Sequence, residues 1–183
     1  PGVECRYEPQ PGISEGGRLF VRGPNVMKGY LSGETPGQLI LPDGGWHDTG
    51  DIVCADEDEA LVIRGRVKRF AKIGGEMVSL AVVENVASTL WRDHEHVAAV
   101  LPDGRKGEQI VLLTTYPKAD RLDMQRWGKD HGISELSLPR KIFHVDAIPV
   151  LGSGKINIGA VQRLAAERAD AAAQPATGAQ AAE

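Results

Sequence analysis

The 183 residues carry a formal net charge of −4 and 42% hydrophobic side chains, enough for a buried core in one domain or two small ones. The acidic balance gives no overall pull toward nucleic acid or an anionic membrane. Cys5 and Cys54, the only cysteines, are too few for a disulfide framework, have no metal-ligand spacing and point to a reducing, cytosolic-facing environment; no apolar run approaches the roughly 20 residues that cross a bilayer.

The first third reads as short strands broken by turns. Gly2–Tyr7 is strand-like and ends at Pro9, Pro11 and Gly12. Residues 17–23 alternate well enough for a second strand, and Gly29-Tyr30-Leu31 follows a short turn. Pro42-Asp43-Gly44-Gly45 is a strong turn signal. Ile52-Val53-Cys54 and Ala60-Leu61-Val62-Ile63 are apolar runs, and the acidic Asp56–Glu59 between them reads as a solvated hairpin tip. Strands at this spacing suggest a small barrel or the edge of one.

A cationic stretch follows, Arg64-Gly65-Arg66-Val67-Lys68-Arg69-Phe70-Ala71-Lys72-Ile73-Gly74-Gly75. It stands where the composition changes. It suits either an anion-handling junction or a solvated basic hairpin. Beyond it, Val82, Val83, Val86 and Leu90 share one face of a helix from about Leu80 to Trp91, with Ser79 as its N-cap. Val97–Leu101 and Gln109–Tyr116 read as a buried-type strand and its hairpin partner. Asp120 caps a helix that runs to about Asp130 and ends at Gly132. Ile142–Val145 is a short strand. Asn157 caps a last helix in which Ile158, Val161, Leu164 and Ala165 share a face. From Ala171 the chain is Ala, Gln, Gly, Pro and Thr, the composition of a disordered tail. The expected architecture is α+β: a β-rich, barrel-like piece, then a small α+β domain.

Three constellations could carry chemistry. In Trp46-His47-Asp48-Thr49-Gly50-Asp51, a carboxylate behind a glycine fits the two hydroxyls of a ribose, or an ordinary Asx turn. In the basic stretch, Arg66 offers a planar fork for hydroxyls or phosphate oxygens, and Gly74-Gly75 leave room for a narrow ligand along the backbone. In Leu151-Gly152-Ser153-Gly154-Lys155-Ile156, a lysine rides a Gly-Ser-Gly loop before a helix. Its ammonium could stabilise a transferring phosphoryl group, or simply be solvated. The loop is no P-loop, because Pro149 stands where that motif needs Gly and Ile156 replaces its Ser/Thr. His47, His94, His96, His131 and His144 show no ligand spacing, so no metal site is expected.

The order and spacing of Thr49-Gly50-Asp51, Gly65-Arg66-Val67-Lys68, Gly74-Gly75-Glu76 and Ser153-Gly154-Lys155 resemble the adenylate-forming (AMP-binding) superfamily over about residues 1–170. Gly17–Pro24 and Lys28-Gly29-Tyr30-Leu31 are similar to that family's stretch before its Thr-Gly-Asp. The resemblance implies that residues 1–66 end a large N-terminal adenylation domain and that 67–170 form a small mobile C-terminal domain, with 171–183 the tail. It implies that Asp51 and Arg66 bind the ribose of ATP and acyl-adenylate, and that Lys68 is the hinge. Lys155 is then the catalytic lysine of adenylation, while Gly74 and Gly75 flank the pantetheine arm. ATP with Mg²⁺ is implied for an intact enzyme.

Within the superfamily, Gly65–Leu80, Leu138-Pro139-Arg140-Lys141 and Pro149–Lys155 look like the bacterial acyl-acyl-carrier-protein synthetase branch. That branch is usually fused to a 2-acylglycerophosphoethanolamine acyltransferase at the inner membrane. The implied partners are a fatty acid and an acidic acyl carrier protein, with CoA as the alternative acceptor. Arg69, Lys72, Arg105, Lys106, Arg140 and Lys141 are then candidate docking cations. A general acyl-CoA or aryl-CoA ligase, or a non-catalytic carrier-docking module, stays open. The chain contains neither the superfamily's Ser/Thr/Gly-rich phosphate loop nor an acyltransferase His-x4-Asp motif. It starts at Pro1 without a Met and reads as a piece that cannot form an acyl-adenylate alone.

Overall fold

The computed structural model describes residues 2–173, and the chain divides between Phe70 and Ala71 into two compact units. The first is built from β1 (Glu4–Glu8), β2 (Gly17–Arg22), β3 (Tyr30–Leu31), β4 (Leu39–Ile40), β5 (His47–Ala55) and β6 (Leu61–Arg66). Four of these form an antiparallel sheet in the order β1-β2-β5-β6, while β3 and β4 make a separate ribbon. Close approach fixes the β1–β2 turn: a Cβ on Gly17 would lie 2.1 Å from the carbonyl oxygen of Glu8. The acidic run is a hairpin tip, as its composition suggests. Asp56 Oδ1 accepts from the amides of Asp58 (3.0 Å) and Ala60 (2.8 Å).

The sheet does not close into a barrel. Among the described residues its end strands β1 and β6 pair with no further strand, and their side chains are mostly exposed. Closure requires tilt and stagger that bring the two edges together. This sheet buries only a thin core of Leu19, Ile52, Val53 and Cys54. The strand expected at Ile52–Cys54 begins earlier, at His47. The polar run and Gly50, which sits at φ 71°, read as a turn but lie within β5. A register slip beside Ile52 absorbs the irregularity.

The second unit contains β7 (Phe70–Ile73) from its second residue onward, β8 (Glu76–Ser79), α1 (Leu80–Leu90), β9 (His96–Asp103), β10 (Gly107–Thr114), α2 (Arg121–Asp130), β11 (Lys141–His144) and α3 (Ile158–Ala173). The sheet runs β11-β10-β7-β8, with β9 on the other side of β10. Side chains alternate across β10. Ile110 and Leu112 face Val83, Val86 and Met124, whereas Val111 and Leu113 face Val161 and Ala165. Helices therefore cover both faces, which explains the unbroken apolar run in β10. Each large side chain buried there stabilises the unit by about 1.5–3 kcal/mol.

The helix ends follow their caps. Asp120 Oδ1 accepts from Leu122 N (3.1 Å), and α2 closes where Ile133 N reaches Gly128 O (2.8 Å) across Gly132, whose φ is 69°. Asn157 Oδ1 accepts from Ala160 N (3.1 Å) at the start of α3. Ser79 holds the N-cap backbone geometry of α1 but makes no side-chain cap bond. Ile158 is 44% exposed, so the packed face of α3 is Val161, Leu164 and Ala165. Residues 171–173 continue α3, and the rest of the expected tail lies outside the described residues.

The basic stretch forms a 3-10 turn at Val67–Arg69 and then β7. Ala71 and Ile73 point into the core. Gly74 and Gly75, at φ 60° and 96°, turn the chain into β8, a left-handed pair that side-chain-bearing residues rarely adopt.

Candidate functional site

Asp51 on β5 and Arg66 on β6 are register partners. Arg66 Nε lies 2.7 Å from Asp51 Oδ1, and Arg66 Nη1 donates to the Thr49 carbonyl at 3.4 Å. The Asp51 side chain is 15% exposed and that of Arg66 67%. A held acceptor thus stands beside an accessible donor, the pairing that two vicinal hydroxyls require. Thr49 fixes the backbone here: its Oγ1 donates to Leu19 O (3.0 Å) and accepts from Asp51 N (3.1 Å).

Next to this pair, Arg18 on β2 grips Asp48. Its Nε donates to Oδ1 at 2.8 Å and its Nη2 contacts Oδ2. Asp48 Oδ1 also accepts from Gly50 N at 2.9 Å, the Asx turn that the sequence allows. A cleft of 440 Å³ is lined by Arg18, Asp48, Thr49, Gly50, Arg66 and Lys68. The structure therefore brings Arg66 and Lys68 to one cleft beside Asp51. It adds Arg18, which the sequence does not single out. Its only signal is a cation within a strand, half-buried between the buried Gly17 and Leu19, and its partner is fixed by the slipped β2–β5 register.

The Arg18 hydrogen bond holds the Asp48 carboxyl below the usual carboxylate range against the opposing effect of partial burial, and the same bond raises the guanidinium. A depressed carboxylate contributes stability that is complete above its unfolded value, about 3.9, and that is lost as pH falls through the folded value. Asp48→Asn is accordingly expected to lower the urea midpoint of the first unit at neutral pH, with the gap to wild type narrowing below about pH 4. A gap of constant size down to about pH 3 would argue that the pair contributes through packing and not through charge.

The other predicted residues lie elsewhere. Arg69 belongs to the Val67–Arg69 turn next to Lys68, one residue before the division of the chain. Lys155 is exposed on a preformed hairpin: Val150 bridges Ile156, Leu151 N donates to Lys155 O (2.7 Å) and Asn157 N to Pro149 O (2.8 Å). Among the described residues no acid pairs with its ammonium. Gly74 N donates to Lys106 O (3.0 Å), which sets the Gly74-Gly75 turn beside the β9–β10 turn. Nothing lies within 4 Å of a Cβ built on either glycine, so the backbone there is open.

Lys72 is exposed on β7, and its amide contacts the Glu108 carboxylate. Arg140 pairs with Asp103 at 3.6 Å, and Lys141 opens β11. The amides of Lys106 and Arg105, both 2.9 Å from Asp103 Oδ1, hold that carboxyl below its ordinary value. Among the described residues no group of three His, Cys, Asp or Glu could hold a metal ion, and no helix is long and apolar enough to cross a membrane.

No protein-family model matches the chain. It is 33% identical over 149 residues to a probable CoA ligase of Humulus lupulus, a match covering 80% of this chain and 28% of that protein. It is 29% identical over 158 residues to the 2,3-dihydroxybenzoate-AMP ligase of Bacillus subtilis, covering 84% of this chain and 29% of that one. The amide bond synthetase McbA of Marinactinospora thermotolerans superposes with a TM-score of 0.67 at 28% identity, over 90% of this chain and 35% of the other. ATP-bound MatB of Rhodopseudomonas palustris superposes with a TM-score of 0.68 at 25% identity, over 90% and 34%. These relatives and neighbours are adenylate-forming ligases. The chain spans less than a third of the length of the relatives just named. Its mixed α/β fold resembles the C-terminal part of such enzymes.

Proposed function

We propose that this chain is the ribose-reading and lysine-bearing part of an ATP-dependent acid–thiol ligase. In the first half-reaction a carboxylate oxygen attacks the α-phosphorus of ATP, and pyrophosphate leaves. In the second a thiolate attacks the acyl carbon, and AMP leaves. The observation that carries the reading is the Asp51–Arg66 pair, an acceptor and a donor held 2.7 Å apart beside an open cleft. Asp51 and Arg66 take the ribose hydroxyls of ATP, and Mg²⁺ arrives with the nucleotide as part of the substrate.

Lys155 supplies the cation for the phosphoryl transition state. Its hairpin is closed by backbone hydrogen bonds, and among the described residues no acid pairs with its ammonium, which favours delivery of charge over a structural salt bridge. Lys68 is the hinge of a mobile C-terminal domain. Gly74 and Gly75 give the thiol arm a passage free of side chains. One site then presents a cation and afterwards clears space for the arm, and a domain movement reconciles the two demands.

The names of the relatives support CoA as the acceptor. A second reading takes an acyl carrier protein instead, within a fatty-acid ligase fused to a lysophospholipid acyltransferase at the inner membrane. It is favoured by the run from Gly65 to Leu80 and by the exposed cations Lys72, Arg140 and Lys141, with Arg69 beside the hinge. Acceptor competition in the full-length protein separates the two. ATP–pyrophosphate exchange driven by a panel of aryl and fatty acids is expected, followed by thioester formation on CoA. Thioester on holo-carrier protein alone would establish the second reading, and absence of exchange with every acid would overturn both.

A further inference from the structure

We infer that the open edge of β11 is a docking site for an extended, acidic segment of a partner protein, which adds a strand to the sheet of the second unit. β11 pairs in parallel with β10 through Val111↔Lys141 to Thr114↔His144, and among the described residues no strand pairs its other side. Successive residues of a strand point their backbone groups to opposite sides. Every second amide and carbonyl of Lys141–His144 therefore faces away from β10 and is free to template a further strand.

The edge is open and also shaped. A groove of 570 Å³ runs along it, bounded on its far side by Ala119–Arg121 at the start of α2 and by Ala172 near the end of α3. His144 Nε2 reaches Ala119 O at 3.2 Å and ties that wall to the end of β11. Ile142 and Phe143, both half-buried, join the two opposite core layers, so each side of an added strand meets an apolar neighbour. Four residues of strand cover roughly 13 Å, enough for two pairs of ladder hydrogen bonds.

Charge selects the occupant. Arg121, Arg140 and Lys141 line the groove against a single acid, Asp120, whose carboxylate is already engaged as the cap of α2. Arg121 is held by Pro139 O at 2.9 Å and pairs with Glu135 at 3.4 Å, and Arg140 pairs with Asp103 at 3.6 Å, whereas among the described residues no acid pairs with Lys141, which leaves it as the cation that meets the occupant. A second copy of this chain pairing edge to edge would set two basic strands against each other. An acidic strand meets the opposite situation, with main-chain bonds giving affinity and the cations giving selection.

The test uses the 183-residue chain and a capped peptide of alternating Glu and Val, read by fluorescence anisotropy and by amide hydrogen exchange. Saturable binding is expected, with slowed exchange confined to residues 141–144. Lys141→Glu is expected to weaken binding about tenfold. The same peptide N-methylated at alternate residues keeps its charge but cannot pair, and it is expected not to bind. Lys141→Gln, which removes the charge without reversing it, provides an intermediate variant if the reversal perturbs folding. Equal binding of the N-methylated peptide would mean attraction by charge alone and would overturn the proposal. So would binding that leaves exchange in β11 unchanged, or no binding at all.

Discussion

Replacing Lys155 by alanine in the full-length ligase is expected to lower ATP–pyrophosphate exchange by about 10²–10³-fold, the usual cost of removing a group aimed at developing charge. Thioester formation from a preformed acyl-adenylate is expected to stay close to wild type, because that step needs no cation on the departing pyrophosphate. The geometry makes the variant clean. The hairpin is closed by backbone hydrogen bonds from Leu151 and Asn157 and by the Val150–Ile156 bridge, none of which uses the lysine side chain. Truncating an exposed side chain there leaves the fold untouched. A loss shared equally by both half-reactions would place Lys155 in common binding and not in adenylation. Lys155→Arg separates the remaining possibilities: a guanidinium keeps the charge but not the compact ammonium, so partial recovery of exchange is expected.

Much of the second unit was legible because its sequence and its packing agree. The run Ile110-Val111-Leu112-Leu113 reads as a strand buried on both faces, and helices cover both faces. Asp120 and Asn157 read as caps and accept the expected amides. What stayed hidden depends on register. Phe70-Ala71-Lys72-Ile73 buries only two small-to-medium side chains, and the surrounding cations mask its alternation, so β7 and β8 are not visible until the sheet is assembled. Arg18 finds Asp48 thirty positions away through a slipped β2–β5 pairing that no local pattern encodes. The barrel expectation failed for a related reason: strand spacing signals antiparallel hairpins but carries nothing about whether the outer strands meet. The candidate site was legible in its residue types and invisible in its contacts. Asp51 and Arg66 stand out individually, while their partnership is a property of the β5–β6 ladder.

That partnership also defines the largest expected effect on nucleotide binding. Asp51→Asn keeps the shape of the side chain but removes the charge that orients Arg66, and it weakens the hydrogen bonds accepted from a ribose. Hydrogen bonds to a charged group contribute about 1.5–3 kcal/mol each, so the KM for ATP in the full-length ligase is expected to rise by about 10- to 100-fold, with kcat changed much less. A rise in KM alone would also follow from general damage to the cleft. Nucleotide analogues remove that ambiguity. Wild type is expected to discriminate strongly against 2′-deoxy- and 3′-deoxy-ATP, because each analogue leaves part of the Asp51–Arg66 pair without its hydroxyl. Asp51→Asn is expected to lose most of that discrimination, since the penalty and the carboxylate are two sides of one interaction. Retention of the full deoxy penalty in the variant would show that the diol is read elsewhere, and the 2.7 Å pair would then be a strand-to-strand salt bridge with no part in recognition.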